Sequence, residues 1–387
     1  MKKVKIFFVS NTSWYIYNFR LSLLQKLKKE NYEVELIAPY DQYTKKIVEA
    51  GFKVHNLFLN RSSINPFNEL ITIFHLIYLY NKNNVKIVNH FTIKPCLYGS
   101  IAALFLKKLK VINTITGLGH LFIGKKSTNF LLRVLKPIIK FAFNNKSIYL
   151  IFQNINDFEE YQNIGFASRQ NSVLIKGSGV DTNFFSRESN KPRTIRDIPY
   201  LLFPSRIIKE KGIFELINAC KNLLKKKIPV KLILAGNLDK GNRSSLSEKE
   251  LEVLKNSKNI TFTGHIENIK ERYFDCDIVV LPSWREGLSR SLVEASSMEC
   301  PIITTNISGC KDVITNEVNG YLVEIKNSKL IEKSIIKILN NKKRAIELGK
   351  NARQIAQKNF DIEIINRRTI DLYLLINSNK KVDFFEY

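Results

Sequence analysis

Short apolar runs of β character alternate along this chain with longer segments whose apolar residues recur at helical spacing, and the alternation occurs in two separate series. In the first, Val4–Val9, Glu33–Ala38, Val85–His90, Val111–Thr116 and Tyr149–Phe152 read as strands. Tyr17–Lys29, Lys45–Ala50, Phe67–Tyr80, Tyr98–Leu106 and Phe130–Phe143 read as the helices between them. The second takes Tyr200–Pro204, Lys231–Ala235, Ile260–Thr263, Ile278–Pro282 and Ile302–Thr304 as strands, with helices at Ile213–Lys226, Glu248–Asn256, Leu288–Met298 and Ser328–Leu339. Such alternation predicts an α/β fold with parallel, doubly wound sheets, because a parallel connection must cross a sheet face and a helix is what covers it. The polar stretch Ser186–Pro199 separates the series and is the predicted linker, giving domains 1–186 and 187–360. A length of 387 residues suits two domains. In open sheets of this kind ligands bind beyond the carboxyl ends of the strands, so functional residues are expected in the loops that follow strands.

The charge balance narrows the partners. With 61 Lys+Arg against 35 Asp+Glu the net charge is +26, which excludes a strongly basic partner and leaves nucleic acid, an anionic membrane face or a phosphate-bearing substrate. The excess is uneven. From Leu70 to Asn156 there is no Asp or Glu, yet there are twelve Lys or Arg interleaved with aromatic residues. A surface resting on anionic headgroups fits this stretch, with a general lysine bias as the bland competitor. The opening Met1–Ser10 has too short an apolar run for a signal sequence and is expected to be a first strand. Cys96, Cys220, Cys276, Cys300 and Cys310 stand singly and read as reduced cytosolic thiols. No clustered Cys/His spacing calls for a metal.

Three segments carry chemistry. In Leu281–Ala295 a strand ends at Pro282, Glu286-Gly287 occupies a loop, and a helix opens at about Leu288. The N–H groups of Leu288, Ser289 and Arg290 at that helix start suit an anion, and Gly287 lets the backbone come close to it. Glu286 suits sugar hydroxyls and Glu294 a ribose diol; the plainer readings are a dipole-favoured carboxylate and a solvated helix face. In Phe203–Gly212, Arg206 and Lys211 follow a strand and suit a diphosphate, Arg by its fork and Lys as a point charge. In Thr114–Phe122 a strand runs into a glycine-rich loop bearing His120, and His90 with Lys94 holds a similar strand-end position. Other signatures are missing: no Gly-x-Gly-x-x-Gly follows the first strand, and neither a Walker loop nor a Gly-x-Ser-x-Gly elbow occurs. Asp275-Cys-Asp277 matches the metal-binding Asp-x-Asp of some sugar transferases but leads straight into a buried strand, so it reads as a strand-entry turn.

Glu286 and Glu294 form Glu-x7-Glu, Arg206 and Lys211 precede it, and Gly177-Ser-Gly-Val-Asp181 sits at the domain junction. Together these resemble glycosyltransferase family 4, retaining enzymes of the GT-B fold. Ser10–Arg20, His90 with Lys94-Pro95, and Thr116–His120 are similar to bacterial N-acetylgalactosaminyltransferases that extend undecaprenyl-diphosphate-linked sugars. The resemblance implies two Rossmann-like domains facing a cleft, the first binding acceptor and the second the nucleotide sugar, with a helix in 361–387 packing back on the first. It implies catalytic roles for His120, Glu286, Arg206 and Lys211, with the two cations neutralising the leaving diphosphate. It implies donor contacts from Gly264, His265, Gly287, Leu288, Ser289 and Glu294, and acceptor contacts from Tyr15, Asn18, Arg20, His90 and Lys94, with Tyr15 and Asn18 in a first-strand loop around Ser13–Asn18. The implied reaction retains configuration by front-face attack, needs no metal and no cofactor beyond the UDP-sugar donor, and takes place on the inner face of the bacterial cytoplasmic membrane. Two other readings stand beside it: an epimerase like the UDP-N-acetylglucosamine 2-epimerases, acting on soluble substrate, and a basic nucleic-acid-binding protein, for which no recognised module is present.

Overall fold

A computed structural model describes residues 3–60, 65–117, 130–187, 196–239, 242, 244–255, 257–378, 380 and 382. The chain divides into two compact units, Met1–Gly179 with Ile362–Tyr387, and Val180–Asp361.

The first unit runs β1 (Lys5–Val9), α1 (Ser13–Lys29), β2 (Glu33–Ala38), α2 (Gln42–Glu49), β3 (Lys53–Asn56), α3 (Pro66–Lys82), β4 (Ile87–Phe91), α4 (Ile93–Ala103), β5 (Lys110–Ile115), α5 (Phe130–Phe143), β6 (Ile148–Phe152), α6 (Ile155–Asn163) and β7 (Ser172–Leu174). Its seven strands are parallel in the order β3-β2-β1-β4-β5-β6-β7. Val9 pairs with His90, so β1 and β4 end side by side where the strand order reverses. Central strands such as β4 are buried at every residue, as a sheet covered on both faces requires.

Helix α1 starts four residues earlier than the hydrophobic spacing predicts. Thr12 caps it, its hydroxyl accepting from the Tyr15 N–H at 3.1 Å, and the Asp41 carboxylate accepts from the Trp14 N–H at 2.9 Å. The segment 13–18, expected as a loop, is therefore the first turns of a helix, and Tyr15, Asn18 and Arg20 project from it.

The second unit runs β8 (Tyr200–Phe203), α7 (Ile213–Lys225), β9 (Lys231–Ala235), α8 (Glu248–Lys255), β10 (Ile260–Gly264), α9 (Lys270–Asp275), β11 (Ile278–Leu281), α10 (Arg290–Ser297), β12 (Ile302–Thr305), β13 (Tyr321–Val323), α11 (Ser328–Asn340) and α12 (Lys342–Phe360). Its parallel order is β10-β9-β8-β11-β12-β13, reversing between β8 and β11. Its core is one apolar cluster that includes Leu202, Phe203, Leu234, Val280, Leu292 and Ile303.

The expected boundary at 186/187 moves to Gly179/Val180. Gly179 has a φ of +74°, and a Cβ there would stand 2.7 Å from the Ile362 Cα, so the two chain crossings touch at a point only glycine fits. The polar segment that suggested a linker is anchored to the second unit on both sides. Arg187 donates to the Phe274 carbonyl at 2.6 Å, and Arg196 to the Asp275 carbonyl at 2.7 Å. The last helix, α13 (Ile362–Asn377), belongs to the first unit. There Tyr373 OH accepts from Asn89 Nδ2 at 2.5 Å, and Lys26 pairs with Glu363 at 2.6 Å.

Candidate active site

The strand reversal in the second unit opens its crevice at the carboxyl ends of β8 and β11, and the predicted diphosphate and sugar residues follow those two strands, while Gly264 and His265 stand at the end of β10. After β8, Lys209–Lys211 forms one tight 3-10 turn ending at Gly212. Gly212 has φ +74°, and a Cβ there would lie 2.0 Å from the Pro282 carbonyl oxygen, so the β8 and β11 loops close on each other through this glycine. The Trp284 N–H donates to the Glu210 carbonyl at 2.8 Å and holds them in register. The result brings Lys211 Nζ to 2.5 Å from Glu286 Oε1, with both side chains about nine-tenths buried. Ser283 Oγ donates to the same oxygen at 2.7 Å. Arg206 is about half exposed and pairs with Asp239 at 2.5 Å.

Helix α10 opens at Arg290, two residues later than expected, with Ser289 at its cap. The Ser289 N–H, expected to face an anion, donates to the Gly309 carbonyl at 3.2 Å. Gly309 (φ +77°) lets the loop after β12 press on the Glu286 loop, where a Cβ would come within 2.5 Å of the Gly287 carbonyl oxygen. Glu294, one turn into α10, is fixed by Arg290 at 2.8 Å and by Tyr273 OH at 3.2 Å. Gly264 ends β10 with φ +70°, and the following His265 N–H donates to Asn237 Oδ1 at 2.8 Å, leaving an exposed imidazole. The Cys310 thiol beside this loop is pushed up to about 12, chiefly by burial.

Asp275 and Asp277 hold structural partners: Arg196 reaches Asp275, and Asp277 accepts from the Tyr200 N–H at 2.7 Å. Among the described residues no group of His, Cys, Asp and Glu could hold a metal ion.

The first unit places its predicted residues less uniformly. Arg20 lies almost fully buried, its guanidinium carbon 4.7 Å from the Phe91 ring centre and Nη2 donating to Tyr15 OH at 3.3 Å. Among the described residues its Nε has no hydrogen-bond partner, nor have the buried hydroxyls of Ser10 and Thr92. Those two residues directly follow β1 and β4, and Thr92 has φ +69°, a strained value for a β-branched side chain. Among the described residues, one guanidinium nitrogen of Arg20 and the two hydroxyls that follow β1 and β4 therefore lack partners near the strand reversal of this sheet. Asn18 Nδ2 donates to the Trp14 carbonyl at 2.9 Å.

His90 and Lys94 take interior places, against the expectation that they meet an acceptor. His90 sits on β4, with Tyr80 OH 2.7 Å from Nε2 and Asn113 Oδ1 2.8 Å from Nδ1. Burial pulls its imidazole down to about 4, so it is a neutral core residue. Lys94 is buried against Glu69 at 2.7 Å and the Asn60 carbonyl at 2.8 Å. His120 lies outside the described residues.

The family model for glycosyl transferases group 1 matches residues 185–355, and that for glycosyl transferase 4-like proteins matches residues 5–154. A Campylobacter jejuni relative, N,N'-diacetylbacillosaminyl-diphospho-undecaprenol alpha-1,3-N-acetylgalactosaminyltransferase, is 31% identical over 96% of this chain and 98% of its own length. The chain belongs to glycosyltransferase family 4. It is a hexosyltransferase, with the activity resting on named transferase relatives along the whole chain. An Escherichia coli UDP-Gal:alpha-D-GlcNAc-diphosphoundecaprenol alpha-1,3-galactosyltransferase is 25% identical over 93% of this chain and 94% of its own length. The crystal structure of a Rickettsia africae glycosyltransferase matches with a TM-score of 0.79 and 21% identity, covering 98% of this chain and all of that one. This likeness gives the transferase the GT-B fold. The epimerase and nucleic-acid readings are not favoured by these relatives.

Sequence reasoning missed several residues that hold the candidate site together. Asp239 and Tyr273 hold Arg206 and Glu294 from across intervening strands, where no local pattern marks them, and Ser283 holds Glu286 from three residues away in the same loop. Gly309 was legible in principle, as a glycine in the loop that follows a strand.

Proposed function

We propose that the protein is a retaining glycosyltransferase that moves a hexose or N-acetylhexosamine from a UDP-sugar to an undecaprenyl-diphosphate-linked saccharide in surface-glycan synthesis. The observation that carries this reading is the Lys211–Glu286 pair at the strand reversal of the second unit, with Arg206 on the loop after β8 and Glu294 on the helix that follows the Glu286 loop. The names of the Campylobacter and Escherichia relatives support the acceptor class, and the latter supports UDP as carrier.

Arg206 and Lys211 meet the donor diphosphate and stabilise the charge that develops on it as the glycosidic bond breaks. Lys211 holds Glu286 in place, so that the carboxylate accepts hydrogen bonds from the donor sugar's hydroxyls. Glu294, steadied by Arg290 and Tyr273, takes the ribose diol. The acceptor hydroxyl attacks on the face the diphosphate leaves, and the departing phosphate oxygen takes its proton. Fixed cations supply the field, so turnover needs no metal. In the first unit, Arg20 with Ser10 and Thr92 supplies the polar groups for an acceptor phosphate, and Tyr15 lines the same helix. The acid-free stretch supports seating this unit on the inner face of the cytoplasmic membrane, and among the described residues no helix is long and apolar enough to cross it.

A panel of UDP-sugars assayed in EDTA, with and without undecaprenyl-diphosphate-linked acceptor, tests the proposal. Lipid-dependent release of UDP from one sugar is the expected result. Silence across the panel, or activity restored only by added metal, overturns it.

A further inference from the structure

Helix α3 is apolar on two opposite faces, and the fold covers only one of them. Ile73, Leu76, Leu79 and Tyr80 are buried against the sheet. Phe67, Leu70, Ile71, Phe74 and Tyr78 stand out in solvent, with Phe67 76% and Phe74 67% exposed. At 100° per residue these five fall within a roughly 100° arc, a continuous stripe along the whole helix. A soluble helix ordinarily presents charge on its outward face; here the one carboxylate, Glu69, is turned inward and paired with Lys94. Phe58, about half exposed, lies beside the helix, its carbonyl accepting from Thr72 Oγ1 at 2.7 Å. Phe105, just past the end of α4, which packs on α3, and Phe141 on α5, which packs on α4, are each 69% exposed as well.

We propose that the exposed stripe of α3 is a membrane-docking element that beds in the headgroup–acyl boundary of an anionic bilayer. Three observations choose lipid over a protein partner. The stripe is rich in aromatic side chains, which settle at that boundary. It lies in a part of the chain that carries twelve cations and no acid between residues 70 and 156, of which Lys82, Lys86, Lys107, Lys108, Lys136 and Lys140 are exposed. Lys82 Nζ also reaches Tyr78 OH at 2.9 Å, so the cation and the aromatic tip leave the apolar face together, as a snorkelling pair does. Helix α3 has 17 residues and lies flat on its sheet, so it rests in the surface of the bilayer and does not cross it.

The inference deepens the peripheral placement proposed above and separates its two physical components. Attraction by charge alone vanishes at about 1 M salt, where the Debye length is about 3 Å, whereas an embedded apolar stripe keeps its hold. The test is flotation of the purified full chain with phosphatidylglycerol–phosphatidylethanolamine vesicles. Wild type is expected to float at low salt and to retain measurable binding at about 1 M salt. The pair Ile71→Asp and Phe74→Asp is expected to weaken partitioning roughly tenfold or more, with an unchanged circular dichroism spectrum and unchanged turnover of a water-soluble, short-chain acceptor. Phe74→Leu, which keeps apolar area, is expected to restore most of the binding. Equal flotation of wild type and the Asp pair overturns the proposal, as does complete release of wild type at high salt. Self-association of wild type that the Asp pair abolishes, without vesicle binding, gives the stripe to a second copy and also overturns it. Transferase activity on the soluble acceptor is scored separately, so loss of that activity reading leaves the flotation result intact.

Discussion

Lys211 Nζ lies 2.5 Å from Glu286 Oε1, and the two residues follow strands that are neighbours in the sheet but far apart in sequence. In the family 4 fold this contact sits where the strand order reverses, the one place in a doubly wound sheet where two loops separate and leave room between them. The pairing fixes a cation and a carboxylate before any ligand arrives, so neither has to be ordered during the reaction.

Removing either cation tests the diphosphate assignment. Lys211→Ala and Arg206→Ala are each expected to lower kcat by about 10²–10³-fold, the range for losing one preorganised electrostatic group. Lys211→Ala is also expected to raise donor KM, because Glu286 loses its partner. Thermal melts distinguish this from unfolding; near-normal turnover in both variants removes these residues from the mechanism.

Glu294 is held by Arg290 and Tyr273 and accepts the ribose hydroxyls in the proposed complex. Glu294→Gln is expected to raise KM for the UDP-sugar by about 10–100-fold with a smaller change in kcat. A 2'-deoxyuridine donor provides the check. It is expected to bind wild type poorly, and the variant should no longer distinguish the two donors.

Arg20 is buried over Phe91 and, among the described residues, its Nε has no partner; the hydroxyls of Ser10 and Thr92, which follow β1 and β4, have none either. Arg20→Met keeps most of the packing over Phe91 and removes the charge. Its expected effect is a rise in acceptor KM of about tenfold or more, with the acceptor-independent hydrolysis of donor unchanged. If the variant instead melts early and handles acceptor normally, Arg20 is a core residue only.

His90 gives the first unit a defined acid sensitivity. Burial lowers its folded value from 6.5 to about 4, so between those pH values the unfolded chain binds a proton that the folded chain does not. Stability therefore rises with pH through this window, and about 3 kcal/mol is lost as pH falls from about 6.5 to about 4. His90→Gln is expected to be less stable at neutral pH but to show a flatter dependence below it. Denaturant melts at pH 7, 5.5 and 4 measure both, and parallel curves for the two proteins refute the assignment.

The fold class was legible because apolar periodicity is set by the geometry of strands and helices, and the chain follows it through both units. The domain boundary was not. Ser186–Pro199 looks like a linker because it is polar, but Arg187 and Arg196 tie its ends to carbonyls of the second unit. The chain crosses instead at Gly179, where Ile362 presses against a glycine with positive φ. The candidate site divides in the same way. Arg206, Lys211 and Glu286 were legible because each follows a strand in the connection to the next helix, and Glu294 because it stands on the first turns of the helix after the Glu286 loop. His90 occupies an equally suggestive position, yet it lies one residue inside the strand, and that one step turns it into the core.

The sequence by itself determined two doubly wound α/β units, the loops on which cations and carboxylates stand, and the acid-free, aromatic stretch of the first unit. These follow from local pattern: hydrophobic period, glycine at strand ends and charge composition. Only the tertiary structure decided which of these residues meet. It joined Lys211 to Glu286, spent the Ser289 amide on Gly309, turned Glu69 inward to Lys94, and left the outer face of α3 bare. The reason is physical. Partners across a sheet reversal are set by strand order and by how closely backbones approach, and neither is encoded in any single stretch of sequence.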